Sequence, residues 1–342
     1  MYPALPKPHL IKTWLFSCMA CVALMVFIGG VTRLTESGLS IVEWKLFDGI
    51  LPPFNEAQWH TYFTEYQTSP EFQKINSDFG LSEFKRIFWL EYIHRVLGRI
   101  TGLVFLLPLI GFAITRTISK PLGWRMFGIG LLVAMQGVVG WVMVASGLVD
   151  DPRVSPLKLS MHLTLAFAIF ACTLWVYLQQ FHAQHRYESA PRLYYGARLL
   201  LGLTFIQVIL GAWVAGWDAG LIYNSYPLMD GEFIPSGLFP YDGFWANVTG
   251  YIPLIQFQHR MGAKLLILGI FAFAYFGWRY TKRVGDVHIL KWLILVITLQ
   301  FALGVLTLIY VIPLTLASAH QMVALLLLAV LTVTCHRFSK AA

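Results

Sequence analysis

Glu91-Tyr92-Ile93-His94-Arg95-Val96-Leu97-Gly98-Arg99 opens a long apolar run, and Gln256-Phe257-Gln258-His259-Arg260-Met261-Gly262-Ala263-Lys264 opens another 165 residues later. Both put His-Arg ahead of the apolar residues and a cation five residues after the histidine. Crossing the hydrocarbon core of a bilayer takes about 20 apolar residues in a helix, and both runs are that long. Working outward, the same criterion picks out eight spans, at 11–32, 92–115, 123–146, 159–181, 195–217, 256–278, 288–312 and 315–336. Lipid offers backbone amides no partner, so the spans are predicted to be helices. Composition agrees: 57% of the 342 residues are hydrophobic, 12% are charged and mean hydropathy is +0.65. That balance excludes a soluble fold and predicts an all-α polytopic membrane protein. The first span lacks a small-residue cleavage site and reads as retained, not as a signal peptide.

Charge sets the orientation. The N-terminus, the turns near 116–125, 186–198 and 279–291, and the C-terminal tail hold 14 of the 25 Lys and Arg against two of the 17 acids, Glu188 and Asp286. That face is predicted to be cytoplasmic, with both termini inside a bacterial inner (plasma) membrane, or on the matrix side of a mitochondrial one. The opposite face carries the remaining acids; within it, 218–255 holds Asp218, Asp230, Glu232 and Asp242 and no Lys or Arg. A net charge of +8 spread along one membrane face needs no nucleic-acid partner.

The chain divides at the cytoplasmic turn near 182–194, with four spans on either side. An even number of spans per half gives both halves the same orientation, so a parallel repeat of two four-helix bundles is expected, 1–190 and 191–342. Internal matches support it. Gly29-Gly30-Val31-Thr32-Arg33 leaves the first span much as Gly211-Ala212-Trp213-Val214-Ala215 leaves the fifth, and Gln136-Gly137-Val138-Val139-Gly140 corresponds to Gln300-Phe301-Ala302-Leu303-Gly304. The halves differ most in the outer segment 33–90, whose aromatic content predicts a lid packed on the outer mouth.

Of ten histidines, His94, His162, His259 and His320 fall within spans, two in each half. Two imidazoles on facing helices can serve as axial ligands of a haem iron held between the helices. The plainer alternative is that each merely hydrogen-bonds a neighbouring helix, but that role asks for no matched depth or pairing. Zinc would want three or four converging ligands, often thiolates. The four cysteines do not provide them: Cys18, Cys21, Cys172 and Cys335 all lie inside spans, so no disulfide is expected on the outer face.

The cations Arg95, Arg99, Arg260 and Lys264 are candidates to pair with porphyrin propionates, or else they snorkel to headgroups. Gly98 and Gly262, close behind the histidines, either admit a flat macrocycle or allow tight helix packing. Gln136, Gln207 and Gln300 read as interhelix hydrogen-bonders. Glu91 lies three residues before His94 on the same helical face, so it is either a functional carboxylate or a solvated acid favoured by a helix start. Its counterpart in the second half is an amide, Gln256.

With Glu91-x-x-His94-Arg95, four span histidines, the Gly29-Gly30-Val31-Thr32-Arg33-Leu34-Thr35-Glu36-Ser37-Gly38-Leu39-Ser40 run and the long outer segment, the whole chain resembles the haem A synthase family in its proteobacterial and mitochondrial form. The resemblance implies oxidation of a methyl substituent of haem O to a formyl group, giving the haem A needed by cytochrome oxidase. It implies that His94 and His162 hold the substrate haem with Arg95 and Arg99 nearby, and that Glu91 is the catalytic carboxylate. His259 and His320, with Arg260 and Lys264, would hold a haem b cofactor. Haem O synthase is a candidate neighbour, an electron donor of undetermined identity is required, and self-association is a further candidate. The chain departs from other members in lacking outer-loop cysteine pairs. A bis-histidine cytochrome b that only passes electrons, and a parallel-repeat transporter, are the competing classes; neither explains why the halves differ at Glu91.

Overall fold

All eight expected spans are helices. The computed structural model describes residues 7–43, 49–149, 152–182, 191–281 and 283–339. The spans are α1 (Pro8–Leu34), α4 (Leu81–Ile114), α5 (Lys120–Ala145), α6 (Pro156–Phe181), α7 (Pro191–Gly216), α9 (Ile252–Tyr280), α10 (Val284–Ile309) and α11 (Leu314–Phe338), each long and apolar enough to cross a bilayer. Shorter helices α2 (Glu56–Gln67) and α3 (Pro70–Lys74) precede α4, and α8 (Phe244–Gly250) precedes α9. No β-strand occurs among the described residues. The turn at 183–190, with His185, Arg186 and Glu188, and the cations Lys282 and Lys340 lie outside them.

Helices α1, α4, α5 and α6 pack in a ring, each touching its neighbours, and α7, α9, α10 and α11 form a second ring in the same order. The rings meet where α6 and α11 touch each other, α6 touches α7 and α11 touches α1. Val26, Phe167, Val208, Leu325 and Leu328 fill that seam. Further cores occupy the end of each ring away from the histidines: Leu15, Phe105, Met126 and Val176 in one, Ala197, Ile270, Leu293 and Leu331 in the other. Each ring is therefore packed solid at one end, and its histidines lie toward the other.

One boundary departs from expectation. Helix α4 begins at Leu81, eleven residues before the expected start at 92, so Glu91 lies well inside a helix and is not a helix-start acid. The extension was hidden because it is amphipathic. Glu83, Lys85 and Arg86 interrupt the apolar run, while Phe84 and Phe88 are buried beneath it. Its start is capped by Glu83, whose Oε2 accepts from the Gly80 amide at 3.1 Å and from Ser82 Oγ at 2.8 Å.

The segment expected to form a lid folds into an aromatic cluster built on this extension. Trp59 and Tyr66 of α2 bury their rings against Phe84 and Phe88, with Trp59 edge-on to Phe88 at 5.0 Å and Tyr66 stacked on Phe84 at 5.2 Å. Such pairs add about 0.5–1.5 kcal/mol each beyond the area they bury. Asn55 caps α2 by accepting from the Gln58 amide at 2.9 Å, and Ser69 caps α3 by accepting from the Phe72 amide at 3.2 Å.

Under the cluster lies Glu71, 4% exposed, which accepts from the Tyr66 hydroxyl at 3.0 Å. Burial pushes its carboxyl from the usual 4.5 up to about 7; Tyr66 opposes that rise, while the charges of Glu91 and Glu36 add to it. The folded lid thus holds a proton that an unfolded one would release. The contribution of Glu71 to lid stability is greatest below pH 4.5 and is lost as pH rises to about 7. Limited proteolysis within 56–74 should therefore quicken from acidic to neutral pH in the wild type more than in Glu71→Gln, compared at each pH. Identical pH responses would exclude Glu71 as the source.

Candidate functional site

Each span histidine packs against a glycine on the neighbouring helix of its own ring. His94 on α4 lies over Gly29 of α1, His162 on α6 over Gly140 of α5, His259 on α9 over Gly211 of α7, and His320 on α11 over Gly304 of α10. A Cβ added at these glycines would come within 2.8–3.1 Å of the imidazole, so a larger residue would displace the ring. His94 and His162 lie within electrostatic reach of each other, as do His259 and His320. All four histidines are half-buried as residues.

These glycines escaped notice as histidine seats, although they stand in the internal sequence matches: Gly29 corresponds to Gly211 and Gly140 to Gly304. Gly98 and Gly262 play a different part. They face Met25 and Gln207 from the adjoining helix, which is the tight-packing role and not a berth for a macrocycle.

The three glutamines do bridge helices, and each reaches its ring's histidine. Gln136 Nε2 donates to the His162 carbonyl at 3.0 Å. Gln207 Nε2 donates to the His259 carbonyl at 2.9 Å and lies 3.0 Å from its Nδ1. The Gln300 carbonyl is 3.1 Å from His320 Nδ1, and its side-chain amide is 3.3 Å from Nε2.

Glu91 and Gln256, both 2% exposed, hold the segments that follow α1 and α7, but with opposite polarity. Around Glu91 the neighbours are donors: Ser40 Oγ at 2.7 Å and the Ile41 amide at 2.9 Å on Oε2, and Arg95 at 2.6 and 3.0 Å on Oε1. Around Gln256 they are acceptors, the carbonyls of Ala219 at 2.7 Å and Ile222 at 2.5 Å, both met by Nε2. Each position therefore selects its own side chain, a carboxylate in one ring and an amide in the other.

The cations also staple these segments. Arg95 donates to the carbonyls of Ile41 at 2.8 Å and Glu43 at 3.1 Å, and Arg260 to those of Tyr223 at 2.5 Å, Ser225 at 2.9 Å and Leu228 at 3.2 Å. Arg95 has a 10% exposed side chain and Arg260 is 8% exposed, so neither snorkels. Arg95 also lines a cleft of about 170 Å³ with Val42, Trp141, Val144, Ala145 and Leu148. Arg99 lies within electrostatic reach of Arg95 and Tyr92, and Lys264 sits 5.8 Å over the Tyr226 ring.

The donor set fits haem. Among the described residues no three or more His, Cys, Asp or Glu converge, so the imidazoles come as pairs. A pair suits an iron that brings its own ring of nitrogens and needs only axial ligands. His162 Nδ1 is buried without a partner, and the contact of His320 Nδ1 with a carbonyl is the kind that orients a metal-bound imidazole.

Fold and site together define a class: a membrane protein of eight candidate spans whose helices carry two histidine pairs, one of them accompanied by a buried carboxylate. The profile of the COX15-CtaA family, described as cytochrome oxidase assembly protein, matches residues 12–332, and the chain belongs to that family. It is 44% identical over 331 residues to a protein named heme A synthase from Nitrosospira multiformis, an alignment covering 95% of this chain and 91% of that one. A protein of the same name from Parvibaculum lavamentivorans is 41% identical over 332 residues, covering 97% and 95%, and one from Paramagnetospirillum magneticum is 44% identical over 332 residues, covering 93% and 90%.

Proposed function

We propose that this chain is a haem A synthase, an oxidoreductase that converts haem O to haem A by oxidising a methyl substituent to a formyl group. One observation carries the reading in detail: two histidine pairs are seated alike, but the first has Glu91 where the second has Gln256. Two equivalent electron-carrying haems would need no such difference.

In this reading the two halves, 1–190 and 191–342, are similar four-helix bundles with different tasks. His94 and His162 hold the substrate haem O, and His259 and His320 hold a resident haem b. A bound haem supplies a redox-active iron. Conversion of methyl to formyl removes four electrons and draws on an external oxidant and oxygen source; Glu91 would take up a proton released from the methyl carbon, a role for a positioned carboxylate that an amide cannot fill. Arg95 and Arg99 would offset the charge of the substrate propionates, with the cleft beside Arg95 in support, and Arg260 and Lys264 would do so for the second haem. Haem O synthase is the neighbour that would supply the substrate.

The pigment extracted from purified protein tests the assignment. Formylated or partly oxidised haem alongside haem b is expected. Haem b alone would make the chain an electron carrier, and absence of haem would leave a transporter.

The same reading places the chain in a bacterial inner membrane with both termini cytoplasmic. A reporter fused after Lys340 should then read as cytoplasmic and one inserted near Pro235 as external. Both reporters on one side would overturn this topology.

A further inference from the structure

Three of the four histidines are approached by a glutamine; for the fourth, His94, the matching position holds a methionine. On α5, α7 and α10 a glutamine stands four residues before the glycine that seats the histidine: Gln136 before Gly140, Gln207 before Gly211 and Gln300 before Gly304. On α1 the residue four before Gly29 is Met25. Its place matches that of Gln207: Met25 Cε lies beside Gly98, four residues past His94, as Gln207 Oε1 lies beside Gly262, three residues past His259. A thioether donates no proton and accepts only weakly.

The consequence falls on the imidazoles. In the second pair both rings have hydrogen-bond contacts, His259 through Gln207 and His320 through Gln300. Gln207 Nε2 bonds the His259 carbonyl and lies beside its Nδ1, so one side chain fixes both the backbone and the ring of this histidine. In the first pair His94 has no side-chain hydrogen bond among the described residues, while Gln136 bonds the His162 carbonyl and its own backbone lies beside the His162 ring.

We infer that Met25 leaves His94 a labile ligand, so that the first pair exchanges its haem as a substrate site must, whereas Gln207 makes the second pair's haem a permanent one. This rests on the proposed assignment of haems to the two pairs. Met25 and Gln207 act here as positioning residues, through the histidines. Partners behind a metal-bound histidine typically change metal affinity by about 10–100-fold, enough to separate an exchangeable haem from a resident one.

Met25→Gln and Gln207→Met are near-isosteric swaps, made in the full chain purified with both haems. Under anaerobic conditions excess apomyoglobin collects released haem, and chromatography separates haem O from haem b. Gln207→Met should speed loss of haem b by about 10–100-fold without altering release of haem O. Met25→Gln should slow loss of haem O by a similar factor and raise the low-spin fraction of its absorption spectrum. Misfolding cannot produce that gain. Unchanged release in both variants, while His94→Ala and His259→Ala still abolish their respective haems, overturns the inference and leaves the assignment standing. If those two alanine variants keep both haems, the assignment fails and the inference falls with it.

Discussion

Glu91→Gln should stop formation of haem A while both histidine pairs keep their haems, and cells carrying it should accumulate haem O. Loss of a positioned acid–base group costs on the order of 10²–10⁴ in rate, far beyond the scatter of a haem extraction. Gln256 at the corresponding place suggests that an amide would be tolerated structurally, but the surroundings of the two residues argue otherwise. Ser40, Ile41 and Arg95 all aim donors at Glu91, and a carboxylate can accept from every one of them. An amide offers one accepting oxygen and turns its own N–H groups against the remaining donors. The substitution therefore also loosens the 40–43 segment, by about 1–3 kcal/mol if one buried donor is left unmet. Ser40→Ala separates the two effects, since it removes a donor from Glu91 without removing the charge. It should lower the rate far less than Glu91→Gln does. Normal haem A from Glu91→Gln would make Glu91 a tether for the segment and nothing more.

His259→Ala or His320→Ala should each strip the tightly held haem b from the purified protein. Either change removes one of the two imidazoles that would hold the haem, a ring that packs against glycine, Gly211 or Gly304. The two variants need not be equal. His320 carries contacts at both ring nitrogens, whereas Gln207 bonds both the ring and the backbone carbonyl of His259 and keeps the latter after truncation. The glycines offer a second route to the same result. Gly304→Val should displace the His320 ring, since an added Cβ alone already falls 2.8 Å from it, and haem b should be lost with the histidine intact. Full haem b in all three variants would remove the second pair from the assignment.

The spans, the span histidines and the contrast of Glu91 with Gln256 were legible from the residues alone. Lipid leaves the backbone one local solution, so apolar length is enough to find a membrane helix. A buried ionisable group in such a run stands out because embedding it is expensive. The start of α4 was not legible, because its first turns bury Phe84 and Phe88 while showing Glu83, Lys85 and Arg86, a pattern that hydropathy averages away. Nor were the partners of the side chains. That Arg95 and Arg260 staple loop carbonyls, that each histidine rests on a glycine, and that Met25 stands where Gln207 stands all depend on how far one helix slides and turns against its neighbour. Helical periodicity specifies which residues share a face of one helix, but the register between helices comes from side chains interlocking across the ring, and only the packed bundle decides it.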